Sequence, residues 1–206
     1  MNFDFFNNDV FNKGFTKSEI DKIGNSLIYI TDRLGGIPKT KALKLLYFLD
    51  EKSVNDSGIP FFGLDWKVWK LGPVDQTIFN EFSNSPDLLK NYISVDYKAD
   101  NICLVRGIKE FNDNEFSDYD LMLLDKVVSS LGHLTASQLS DLTHKRGGLW
   151  DKVVTEKGLK ESFDKGLATT SGYTIEFSDL IKKDEQKVEM FNHYFDLKSI
   201  DRKYSL

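Results

Sequence analysis

One cysteine in 206 residues is too few for an intrachain disulfide or for a cysteine-based metal cage. Cys103 stands in the run Ile102-Cys103-Leu104-Val105, the setting of a small buried core residue. Histidine is nearly as scarce: His133, His144 and His193 are scattered, and no two stand at helical metal-ligand spacing. The sequence also lacks an H-E-x-x-H pair, a phosphate-cradling glycine loop and a G-x-S-x-G elbow. No catalytic residue, metal or cofactor is therefore expected. Long apolar runs are missing too; none approaches the roughly 20 residues that a membrane helix needs. The start, Met1-Asn2-Phe3-Asp4-Phe5-Phe6, has no basic region followed by an apolar core, so it is not a secretion signal. A cytoplasmic location with no membrane partner is expected. Positive charge is not in excess either. The formal charge is −5, and such a surface repels phosphate backbones, which disfavours nucleic acid as a partner.

What the chain does have is apolar and aromatic material. Hydrophobic residues make up 40% and aromatics 13%, with 16 Phe, 8 Tyr and 3 Trp. Rings bury the most area per residue in cores and interfaces. With charged residues at 29%, this is the composition of a globular chain of about one domain. Residues 1–15 concentrate five Phe (Phe3, Phe5, Phe6, Phe11, Phe15) in a pattern that fits neither helix nor strand. They are read as an arm that lays its rings on the domain formed by residues 16–206.

Helix signals dominate the rest. Thr16 and Glu19 form a capping box, stapled by Phe15 and Ile20, and Ile20, Ile23, Leu27, Ile30 and Leu34 follow on one face. Gly35-Gly36 stops that helix. A second begins near Pro38; Leu43, Leu45, Leu46, Tyr47, Phe48 and Leu49 make it apolar nearly all round, as a central helix must be. Asn55 to Pro60 break it. Gly63–Lys70 alternates and reads as a strand. Gly72-Pro73 reads as a turn, with Pro73 opening a short helix through Phe82. Tyr92–Tyr97 and Ile102–Arg106 form a hairpin across Lys98–Asn101. Ser117 with Asp120, and Thr135 with Gln138, cap two further helices. A short helix is expected near Leu159–Phe163. The last runs from about Asp184 with Val188, Phe191 and Phe195 on one side. The expected fold is α+β and mostly α, a helical core with a small antiparallel sheet of about three strands.

The two closely spaced helices, 118–131 and 135–144, offer an alternative function. A short glycine-containing turn between helices resembles a helix-turn-helix, which would make the protein a DNA-binding regulator. The second helix would present Ser137, Gln138, Ser140, Asp141 and His144, with Lys145 and Arg146 at its end. Asp141 would face phosphate badly.

Three strings in order carry a resemblance: Lys44-Leu45-Leu46-Tyr47-Phe48; Trp69 followed by Gly72-Pro73-Val74; and Leu142-Thr143-His144 leading to Trp150. Together they resemble the Panacea domain, the SocA-like antitoxin or phage-associated protein family, over roughly residues 37–155. Val68 stands where the family pattern has a small residue, and Leu149 where it has proline. The resemblance implies a bacterial or prophage antitoxin. Its partner would be a protein toxin encoded nearby, neutralised by direct binding or, for some members, delivered to a protease. It brings no catalytic residues. The partner-binding candidates are Trp69, Gly72, Pro73, Val74, Asp75, His144 and Trp150. Oligomeric state has no signature in the sequence.

Overall fold

The structure is a computed structural model that describes residues 14–97 and 103–204. The arm's Phe3, Phe5, Phe6 and Phe11, and the expected turn at Lys98–Asn101, lie outside those residues. Phe15 is described, and its ring packs half-buried on the core.

Helix α1 (Lys17–Leu34) begins with the expected capping box. The Glu19 amide donates to the Thr16 hydroxyl at 3.2 Å, and the Thr16 amide donates to the Glu19 carboxylate at 2.7 Å. These bonds satisfy donors that a helix start leaves open. Ile20, Ile23, Leu27 and Ile30 are buried, as their spacing requires. After Gly35 the chain forms the two-residue strand β1 (Ile37–Pro38) and then α2 (Lys39–Ser57), which runs two residues past the expected break at Asn55. Helix α2 is buried from Ala42 through Asp50 and lies at the centre of the molecule, with α4, α5, α8 and α9 packed around it. Gly58, in the left-handed region at φ +81°, ends it.

Two short antiparallel units follow. Strands β2 (Trp66–Trp69) and β3 (Gly72–Asp75) pair Trp66 with Asp75 and Trp69 with Gly72. The turn is therefore Lys70-Leu71, and Pro73 lies inside a strand instead of opening a helix. Proline's fixed φ suits extended backbone as well as a first helical turn, so the local signal was ambiguous. Helix α3 (Gln76–Ser83) starts later, capped by Asp75, whose carboxylate accepts the Ile78 amide at 3.0 Å. The far edge of β2 is closed by residues 173–175: the Val68 amide donates to the Tyr173 carbonyl, and the Ile175 amide to that of Trp66, each at 2.8 Å.

The three-stranded sheet is present, but the tryptophan-bearing strand is not in it. Its order is β1-β5-β4, with β4 (Ile93–Tyr97) and β5 (Cys103–Gly107) forming the expected hairpin and Ile37 facing Val105 as the third member. Cys103 is buried there.

Helices α4 (Asp118–Leu131) and α5 (Ala136–Thr143) carry both expected capping boxes. Then come α6 (Leu149–Glu156), α7 (Lys160–Asp164), α8 (Ser178–Ile181) and α9 (Glu185–Tyr204). Val188 and Phe191 pack on the core, whereas Phe195 is exposed. Polar bonds fasten α9 instead: the Tyr194 hydroxyl and the Lys198 ammonium both donate to the Phe62 carbonyl, at 3.0 and 2.8 Å. Buried apolar residues from Ile20 to Ile181 form one contiguous cluster. Among the described residues, no helix is long and apolar enough to cross a membrane.

Candidate partner-binding site

The three sequence strings that carry the resemblance meet at one end of the molecule. Helix α2 supplies Lys44, the β2–β3 hairpin supplies Trp69 to Asp75, and the end of α5 with the start of α6 supplies Thr143, His144 and Trp150. Lys44 is buried at 1% exposure, and its Nζ donates to the Pro73 carbonyl at 2.9 Å. Gly72 lies directly beside it at φ +102°. A side chain there would place its Cβ 2.6 Å from both the Lys44 Nζ and the Thr143 hydroxyl. Only glycine satisfies both the backbone angle and the close approach. The hairpin is fastened on its other side by Trp150, whose indole N–H donates to the Trp69 carbonyl at 2.9 Å.

His144 caps the C-terminus of α5 and stacks on Trp150, with ring centroids 3.8 Å apart and planes 21° from parallel. Its Nε2 is sealed from solvent with no hydrogen-bond partner among the described residues. Burial lowers its pKa, Lys44 lowers it further, and Asp141 opposes them. Burial alone brings Lys44 down to about 7. No ion pair to Lys44 is found among the described residues. Trp69 is half-buried with its ring edge-on to Phe79 at 5.0 Å. Val74 and Asp75 are buried. One Asp75 oxygen accepts the Ile78 amide and the other the Asp65 amide; burial pushes its carboxyl upward.

The structure thus brings all seven candidates together, mostly as supports. Gly72, Pro73, Val74 and Asp75 are buried, while Trp69, His144 and Trp150 are half-buried. The exposed apolar groups lie next to them. Leu71, at the hairpin tip, is 63% exposed, and Leu142, Leu167 and Tyr173 are exposed on the segments that adjoin the hairpin and α5 in the chain or by backbone bonds. The Lys70 amide donates to the Thr169 carbonyl at 2.9 Å, which ties the tip to the segment bearing Leu167. Trp150 stacks at longer range on Phe163 of α7. The sequence pattern puts Leu71 on the two-residue period of the strand with Leu64, Trp66 and Val68, whereas the register places it in the turn after Trp69. Sequence reasoning also took Lys44 as part of an apolar helix; the one available signal was a lysine inside a run that is otherwise all core.

Among the described residues, no three His, Cys, Asp or Glu side chains are placed to hold a metal ion. A groove of about 680 Å³ lies elsewhere, against α1, residues 59–62 and α9, and contains neither His133 nor His144. Its cations are engaged, Lys22 with Asp120 at 3.0 Å and Lys198 with Glu19 at 2.7 Å. Helices α4 and α5 each pack chiefly on α2. His144, one of the residues that such a helix would present, is stacked on Trp150.

Comparison with known proteins agrees with the convergence of the three strings. Residues 43–151, more than half of the chain and all seven candidates, match the family described as "Antitoxin SocA-like, Panacea domain". Antitoxin SocA of Caulobacter vibrioides (strain NA1000 / CB15N) is 28% identical over 152 residues, covering 71% of this chain and 72% of that protein. No solved structure matches. The chain belongs to the SocA-like antitoxin family, defined by the Panacea domain.

Proposed function

We propose that this protein is a cytoplasmic antitoxin that neutralises a cognate protein toxin by direct binding, without catalysis or a cofactor. The observation that supports this most is the exposed apolar tip at Leu71, held on a rigid footing by Lys44, Trp150 and the 169–175 segment. Exposed apolar groups on a fixed support suit a protein interface. Residues 16–206 act as one unit. The toxin's working surface is covered by an interface that buries roughly 1,200–2,000 Å² in total. Held this way, the toxin is either sequestered or passed to a protease.

Co-expression provides the test. A small protein encoded next to this chain stops growth when expressed alone, and this chain restores growth. Failure to rescue any neighbour's product would refute the proposal. The toxin's half-life with and without this chain separates delivery from sequestration, since only delivery shortens it.

A further inference from the structure

Lys44 is buried at 1% exposure, and among the described residues no carboxylate forms an ion pair with it. Lys44 and Asp141 both act electrostatically on the His144 imidazole at the end of α5, and from β3 the Pro73 carbonyl accepts the Lys44 Nζ. The nearest carboxylate along β3, Asp75, is turned to the Ile78 and Asp65 amides. A neutral amine has two N–H groups, and one of them is met by the Pro73 carbonyl. An ammonium carries three donors and would leave two without acceptors, beside an imidazole that disfavours a second positive charge.

We propose that Lys44 forms a proton-sensitive latch at the root of the β2–β3 hairpin, closed when its amine is neutral and loosened when that amine takes a proton beside His144. Lys44 has the buried geometry that such a switch requires, and its lowered pKa places the change near neutrality. Opening exposes Lys44 to water, where it regains an ordinary affinity for protons, so acid favours the open hairpin. The effect on toxin holding rests on the proposed function, because the same hairpin carries Leu71. The latch itself does not rest on it and is tested on the free chain.

Native-state hydrogen exchange of the full-length chain between pH 7 and 9 reads the opening directly. Amides in residues 66–75 should exchange through a partial opening, with less protection than the α1 amides of Ile23–Ile30. Their protection, corrected for intrinsic exchange, should rise about tenfold per pH unit. In Lys44→Met that rise should disappear. Hairpin protection constant within twofold across the range, a rise that persists in Lys44→Met, or hairpin and α1 protection equal at every pH would overturn the latch. If Lys44→Met does not fold, the lysine ε-carbon signals of the wild-type chain decide: a Lys44 midpoint near neutrality supports the latch, and one near 10 overturns it.

Discussion

The imidazole of His144 lies almost flat on the indole of Trp150, at 3.8 Å between centroids, and that indole donates its N–H to the carbonyl of Trp69. One ring pair therefore joins the end of α5, the start of α6 and the last residue of β2. Trp150→Phe keeps a ring for His144 but removes the indole donor to the Trp69 carbonyl. We expect a loss of about 1–2 kcal/mol in urea unfolding. Wild-type stability in that variant would show that the hydrogen bond does not hold the hairpin.

Glycine at 72 answers two demands at once, whereas Gly147 answers one. Gly147 also has positive φ, at +77°, but a side chain there would meet nothing within 4 Å. Gly147→Ala should cost about 1 kcal/mol from backbone strain. Gly72→Ala adds collision with Lys44 and Thr143 and should cost at least about twice as much, with a visibly lower Tm. Equal losses would mean that the hairpin shifts freely and the close packing is unimportant.

Asp50 is the polar pin of the 58–66 segment. Fully buried on α2, it accepts the amides of Phe62, Gly63 and Leu64 and the indole N–H of Trp66. Asp50→Ala would strand four donors and should cost on the order of 3–5 kcal/mol. Asp50→Asn keeps one accepting oxygen and should fall between that variant and wild type. A small loss in Asp50→Ala, measured calorimetrically, would show that the loop finds other acceptors.

Overall stability should rise with pH between 7 and 9. The unfolded chain keeps the Lys44 proton up to its ordinary value near 10, whereas the folded chain releases it at about 7. Between those values unfolding takes up a proton, so the folded state gains about 1.4 kcal/mol per pH unit from this group. His144, also lowered, acts in the same sense below about 6.5. Tyr47, raised well above 10, has the opposite sign and acts only above its ordinary value, outside the window. Lys44→Met should be about as stable as wild type at pH 7, because removing a buried amine that has no ion-pair partner offsets the lost bond to Pro73. Urea unfolding of both proteins at pH 7 and 9 checks this, and an identical pH gain in both would contradict the assignment.

Leu71→Asp places a charge at the exposed hairpin tip, where it touches no core. Stability should stay within about 0.5 kcal/mol of wild type, while affinity for the cognate toxin falls at least about tenfold and growth rescue is lost. Full rescue by a well-folded Leu71→Asp would move the interface away from this tip.

The helices were legible in the sequence because their signals are local. Thr16 with Glu19, Ser117 with Asp120 and Thr135 with Gln138 lie three residues apart, and the bonds that make them caps close within that distance. The burial of α2 was equally readable from its unbroken apolar run. Pro73 was misread because extended and helical backbone share its φ, and the choice fell to strand pairing with Val68. The third strand of the larger sheet was missed because Ile37-Pro38 is too short to show any period.

By itself, the sequence determined the helical frame, the buried centre and the family strings at 44–48, 69–74 and 142–150. Only the tertiary structure decided what those strings do. It placed Lys44 against Pro73, Gly72 against Thr143 and Trp150 against Trp69, pairs separated by 29, 71 and 81 positions. The reason is physical: a cap or an apolar face is set by neighbours in the chain, whereas the pKa of a lysine and the exposure of a leucine are set by whatever the fold brings beside them.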